Sequence, residues 1–527
     1  MKTGTLIILV ASLLASPLPG HANDVSWWRD AVFYEIFVRS FADSTTGPLA
    51  GDGIGDFQGL IDRLDYLNDG DPATTTDLGI NAVWLLPIYA SPSYHGYDVT
   101  DYFTVNPDYG DLVLFKKLVA EAHRRGIRVI LDLVLNHASA EHPLFKQAIR
   151  EDATPAQSDL FIFSPVDKQT AGPWGDRCWH YRDGIFFYGI FDSSMPDWNL
   201  RNPTVTEHHR KVAAFWLKDV GVDGFRLDAV RYFFEQGDSL QDLAETKQWL
   251  RQFANYCREL KPDAYLIGEA WTDTEGAASY VNSAGLDSTF EFDLAKAFIE
   301  SASFASPAIV SRRLERTRSA YPDAVFGTFL ANHDQERTLT QMGGDRSKAR
   351  LAALLQFTAP GIPFIYYGEE IGMQGKKPDP DLRTPMQWNT GENAGFTDGT
   401  PWHPLNNDYP QVNINTEFGA SDSLLSLYRQ LIRLRAKSPA LRAGTPVADF
   451  ACEGRGLHAD LRESPTDITM VIVNTAARET EARLTLPPSL TALGEPAVLF
   501  SSTSFDIRHS ALVIPPQAAV VFQWRKP

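Results

Sequence analysis

The sequence predicts an α/β fold: a (β/α)8 barrel with an inserted domain after its third strand and an antiparallel β domain at its C-terminal end. Three observations carry this. Short β-rich apolar runs alternate with helical periods through most of the 527 residues, as βαβ units do. One stretch rich in Trp, Tyr, Phe, Gly and Pro breaks that alternation. The last part of the chain changes to β-like runs separated by turn residues.

The strand candidates number eight: Ala31–Val38, Asn81–Pro87, Arg128–Leu133, Gly224–Leu227, Ala264–Gly268, Ser288–Phe292, Gly327–Leu330 and Pro363–Tyr367. Helical periods fall between them, as at Leu112–Arg125 and Glu207–Val220. Eight strand–helix units are the count of a closed barrel. A doubly wound open sheet competes with it, but no glycine fingerprint follows the first strand. The excursion covers residues 138–201, so the barrel is expected from residues 23–137 and 202–440. After the helix Ser423–Lys437, runs such as Ile468–Asn474, Glu481–Leu486 and Ala518–Trp524 place a β-sandwich at residues 441–527.

Composition narrows the function. With 44% hydrophobic and 22% charged residues the chain is ordinary globular material. A net charge of −18 argues against a nucleic acid partner, which needs a basic face. Lys2, the apolar run Leu6–Leu14 and the small residues of Gly20-His21-Ala22 read as a signal peptide over residues 1–22, hence export to the periplasm or the medium. The apolar run falls short of the roughly 20 residues a membrane span needs, so no membrane association is expected after cleavage. Cys178, Cys257 and Cys452 are too few for a disulfide framework or a zinc site; at most one pair could bridge.

Barrels carry their chemistry at the C-terminal ends of the strands. There the third strand gives Asp132, Asn136 and His137, the fourth Arg226 and Asp228, the fifth Glu269, and the seventh Asn332, His333 and Asp334. Asp228, Glu269 and Asp334 with two imidazoles around one cavity suit glycoside hydrolysis, which needs a carboxylate nucleophile and a protonated acid, held roughly 5–5.5 Å apart when configuration is retained. Arg226, two residues before Asp228, shares its face of the strand and is expected to keep Asp228 ionised. Glu269 has no cationic neighbour in sequence, which suits a carboxyl with a raised pKa. Asp334 is read as stabilising the developing cation, His137 and His333 as binding sugar hydroxyls, and Asp132 as orienting Arg226. Any one strand-end Asp is more often a cap or an ion-pair partner; the conjunction favours catalysis.

The segments DLVLNH (132–137), GFRLDAV (224–230), GEAW (268–271) and FLANHD (329–334) resemble the four sequence regions of glycoside hydrolase family 13, the α-amylase family, in the family's order. The resemblance covers nearly the whole chain after residue 22. It implies the barrel as domain A, the excursion as domain B and the tail as domain C, with Asp228 as nucleophile, Glu269 as proton donor and Asp334 as stabiliser. Met195-Pro196-Asp197-Trp198-Asn199-Leu200 resembles the family's fifth region in the form of intermediate bacterial α-amylases, between oligo-1,6-glucosidases and neopullulanases. The resemblance therefore implies a secreted, retaining hydrolase, expected as a monomer, acting on the α-1,4 bonds of starch, maltodextrins or maltooligosaccharides. An exo-acting α-glucosidase, and a transglycosylase or sugar isomerase, stay open beside it; a non-catalytic sugar-binding relative would normally lack a catalytic carboxylate.

Similarity to exo-acting members implies that Asp98 and Arg383 clamp a terminal glucose and that Tyr97 stacks beneath it. Asp43, Asp52, Ile54 and Asp56 resemble a family calcium loop, interrupted here by Thr45–Ala50. Either this loop holds Ca2+ through carboxylates and the Ile54 carbonyl, or it is an Asp/Gly turn. A second family calcium site, using Asn136 and a His at the position of Tyr232, is not expected. No organic cofactor is expected.

Overall fold

The structure, a computed structural model, describes residues 26–321, 323, 325–491, 493–508 and 511–527. The signal-peptide reading of residues 1–22 lies outside them. Eight parallel strands close into a barrel: β1 (Phe33–Ile36), β2 (Ala82–Leu85), β3 (Arg128–Leu133), β4 (Gly224–Leu227), β5 (Tyr265–Gly268), β6 (Ser288–Phe290), β7 (Phe326–Thr328) and β8 (Ile362–Tyr366). Each neighbours the next and β8 returns to β1. All eight expected strands are present: β1, β2, β5 and β6 are shorter than the apolar run that announced them, β3 and β4 keep the expected bounds, and β7 and β8 begin one residue earlier.

Rings fill the barrel. Phe33 stacks on Phe364 at 4.5 Å, and Phe290 meets Phe364 at 4.8 Å and Trp84 at 5.3 Å. Gly327 on β7 makes room for them: a Cβ there would lie 3.1–3.3 Å from Ile267, Phe364 and Phe290. This packing is the rigid floor of the site above it.

The outer helices follow their sequence signals. Helix Leu112–Arg124 starts at Asp111, whose carboxylate accepts from Leu114 N at 2.8 Å, and buries Phe115, Leu118, Val119 and Ala122. The helix expected over Glu207–Val220 begins earlier, at Pro203, capped by Asn202, and its last six residues, Phe215–Val220, widen into a π-turn. There Trp216 is buried and donates its indole N–H to Tyr102 O at 2.8 Å, a contact no periodicity argument could supply.

Between β3 and β4 the chain forms short helices and a three-stranded antiparallel sheet of Phe163–Ser164, Ile185–Tyr188 and Trp179–Arg182. It is tied to the barrel rim by Trp198 N to Asn136 O (2.9 Å) and Ala138 N to Pro196 O (3.0 Å). The C-terminal part pairs antiparallel strands into a five-stranded and a four-stranded sheet around Leu461, Ile472, Val520 and Trp524. Buried Arg462 fastens it to the barrel by donating to the carbonyl of Thr358, at the end of the helix before β8. Cys178, Cys257 and Cys452 are free thiols. Among the described residues no helix is long and apolar enough to cross a membrane.

Candidate active site

Strand register builds the site. Asp132 on β3 pairs with Arg226 on β4, and Arg226 with Ile267 on β5. Side chains two residues further on keep the same facing, so Asp228 and Glu269 rise side by side one layer above Arg226. The Arg226 guanidinium, 1% exposed, joins all three acids. One terminal nitrogen donates to Asp132 Oδ1 at 2.8 Å and Asp228 Oδ1 at 2.6 Å. The other lies 2.9 Å from Glu269 Oε2, which also accepts from Ala229 N at 3.1 Å. Asp228 and Glu269 are thus set on adjacent nitrogens of one cation and share one cleft.

That cleft has a volume of about 610 Å3, and Tyr97, His137, Asp228, Glu269, Asp334 and Arg383 are in its wall. Burial pushes the Glu269 carboxyl up to about 8, helped by the negative charges of Asp228 and Asp334 and opposed by Arg226. At neutral pH it holds a proton. Burial also raises Asp228, with Arg226 pulling the other way. Asp132 is pushed up to about 7 by burial, again against Arg226. For Asp334 burial is outweighed by His333, Arg383, Arg226 and Lys377, which hold it down at about 2. Two expectations change here. Glu269 does have a cationic neighbour, invisible in sequence because it comes from the adjacent strand, and its raised pKa comes from burial. Arg226 moderates the cost of ionising Asp228 without reversing it.

Arg383 donates to Asp334 Oδ1 at 2.9 Å and to His333 O at 3.0 Å. The Tyr97 ring lies nearly parallel to the His333 ring, centroids 5.6 Å apart and joined edge to edge through the Tyr97 hydroxyl, and Tyr97 lines the cleft. His137 is kept neutral, its pKa lowered to about 4 by burial, and its Nε2 has no partner in the protein. It is a free donor or acceptor for a sugar hydroxyl. His333 is not. It is fully buried, with Nδ1 2.7 Å from Glu35 Oε1 and Nε2 2.6 Å from Tyr97 Oη, so it positions Tyr97 and Asp334 from behind. Asp98, expected to clamp sugar with Arg383, is also set back. It is 4% exposed, outside the cleft wall, and accepts from the Ser91 and Ser93 hydroxyls of its own turn.

Sequence reasoning missed Glu35, the lone carboxylate of the apolar run in β1, which was the available signal. It also missed the cleft aromatics Tyr94, Trp174 and Phe191 and took Tyr232 only as a poor metal ligand; all four line the cleft.

A family model described as "Alpha amylase, catalytic domain" matches residues 35–444. The chain belongs to the α-amylase family. It is 37% identical to Alpha-amylase 3 of Dictyoglomus thermophilum over 460 residues, 86% of each chain. The crystal structure of an α-amylase from H. orenii superposes with a TM-score of 0.84 at 40% identity, covering 94% of this chain and 99% of that one. A trehalose synthase/amylase of Mycolicibacterium smegmatis is 32% identical, over 81% of this chain and 79% of its own. The barrel and C-terminal sheets are therefore those of an α-amylase-family glycoside hydrolase.

The candidate calcium loop is closed by its own hydrogen bonds. Asp43 accepts from Gly51 N at 3.1 Å, from Gly53 N at 2.9 Å and from the Thr397 hydroxyl. Asp56 accepts from Ser44 N and Gly59 N, and Asp52 from Ile54 N. Both oxygens of Asp43 and of Asp56 accept from the protein's own donors, and among the described residues no three acidic, His or Cys side chains converge on a metal position. The loop is held by Asp43. Asp43→Ala should cost about 2–3 kcal/mol through stranded buried donors, read as a lower midpoint in urea. A midpoint equal to that of the unaltered chain would show that the loop closes without it.

Proposed function

We propose that the chain is an exported retaining hydrolase cleaving α-1,4-glucosidic bonds of starch-derived maltooligosaccharides by double displacement, with Asp228 as nucleophile and Glu269 as acid/base. The supporting observation is the placement of Asp228 and Glu269 on adjacent nitrogens of the Arg226 guanidinium in one cleft, with burial raising the Glu269 pKa. Glu269 protonates the glycosidic oxygen while Asp228 attacks the anomeric carbon. Glu269, now a carboxylate, then deprotonates the water that releases the sugar. Asp334, ionised and fixed by Arg383, faces the positive charge that develops on the ring,. Tyr97 and His137 would carry the sugar face and a hydroxyl. The choice of α-1,4 bonds rests on the likeness to two proteins named as α-amylases.

A second reading, transfer to a sugar in place of water, is favoured by the likeness to a trehalose synthase/amylase. Proton NMR of maltopentaose digestion separates these. The proposal expects α-configured reducing ends first and shorter maltooligosaccharides after. Newly formed β-configured ends would overturn retention, and dominant isomeric disaccharides would favour transfer.

A further inference from the structure

Two exposed aromatic residues in the cleft wall, Trp174 and Trp271, have no part in the mechanism above, and Trp174 is the more exposed. Residues 171–177 form a small hairpin of the inserted domain: Ala171 bridges Arg177, Gly172 N donates to Asp176 O at 2.7 Å, and Gly175 N donates to Gly172 O at 3.0 Å. Gly175 takes a φ of +89°, a turn conformation that suits glycine. At the tip stands Trp174, 56% exposed and in the cleft wall. Trp174 does not stand singly: it is continuous with Phe191 and Tyr232 along the cleft wall, and a contiguous aromatic patch of this kind marks a binding surface,.

Its neighbours say which part of the cleft it faces. Trp174 meets Phe191 and Tyr232 at 5.4 Å each. Tyr232 follows Ala229, whose N–H binds Glu269, and Arg231 beside it donates to the carbonyl of Trp271, two residues beyond Glu269. The group thus gathers on the side of the proton donor. Tyr97, Arg383 and Asp334 occupy a separate group tied together through His333. The acid protonates the leaving oxygen, so its side of the cleft is where the leaving sugars go.

We infer that Trp174 is a specificity-determining residue, an aromatic wall on which a sugar ring of the leaving group stacks. Sugars present apolar C–H faces that suit an indole, and one edge of Trp174 is already packed, so little freedom is lost on binding. The inference rests on the reading given under Proposed function and adds a preference: substrates with sugars beyond the scissile bond gain from Trp174, and a fluoride leaving group does not.

The test compares kcat/KM for maltopentaose and for α-glucosyl fluoride in the unaltered chain, Trp174→Ala and Trp174→Phe. Trp174→Ala should shift the ratio about tenfold against maltopentaose, and Trp174→Phe should recover most of it. The side chain is surface-lying, and equal melting temperatures confirm that each variant folds. An unchanged ratio in an active enzyme overturns the inference and leaves the proposed function standing. An unaltered chain that leaves maltopentaose intact overturns both.

Discussion

Asp228→Asn is expected to lower kcat on maltopentaose by at least about 10⁴-fold, the scale on which loss of a covalent nucleophile is felt, with folding preserved. Both halves follow from the contacts. Asn keeps the size of Asp and an oxygen for the Arg226 nitrogen now 2.6 Å from Asp228 Oδ1. Arg226 keeps Asp132 at 2.8 Å and Glu269 at 2.9 Å, so its buried charge is not stranded. One buried negative charge disappears, and burial is what opposes the ionised form of Asp228 most strongly. The melting temperature should therefore stay level or rise. Only the attacking lone pair is lost, because a neutral amide cannot form the glycosyl ester. Saturating kinetics with calorimetry on the same samples checks both halves. A variant within tenfold of the unaltered enzyme, with an unchanged melting temperature, would place the nucleophile elsewhere.

The barrel was legible in the count of eight strand–helix units, and much of the cleft's polar layer in the period-two facing of its strands. Once DLVLNH and GFRLDAV are read as strands, Arg226 and Asp228 must share a face, and strand ends must meet at one rim. What the strands bring together across the sheet was not legible. The Arg226–Glu269 contact depends on the register Ile267↔Arg226, and no single-strand pattern contains a register. The Glu35–His333 pair joins residues 298 apart in sequence across a closed barrel. His333 was given to substrate as a polar residue at a strand end, and Asp98 by similarity to exo-acting relatives; here Glu35 and Tyr97 hold both nitrogens of His333, and Ser91 and Ser93 hold Oδ1 of Asp98. The wall of Trp174, Phe191 and Tyr232 draws on the inserted domain and on the loop after β4 together, so aromatic richness was visible while its destination was not.

Glu269→Gln should separate acid assistance from nucleophilic attack. Gln cannot give a proton to the glycosidic oxygen, so maltopentaose hydrolysis should fall by about 10²–10⁴-fold, the range general acid catalysis supplies. α-Glucosyl fluoride needs little protonation, and its first step should fall far less. The second step still lacks a base to deprotonate water; azide, already an anion, should restore turnover and yield a glucosyl azide of retained configuration. The pH dependence has a definite sign. The acid works only while protonated, and Glu269 is held up to about 8 chiefly by burial, so kcat/KM for maltopentaose should hold below that pH and decline above it. For the variant acting on the fluoride with azide present, this alkaline decline should vanish, since the group that titrates is gone. Equal losses on maltopentaose and fluoride would remove Glu269 from the acid role. An alkaline limb that survives in the variant would assign that proton to another group, and Asp132, pushed up to about 7 against the same guanidinium, would be the group to substitute next.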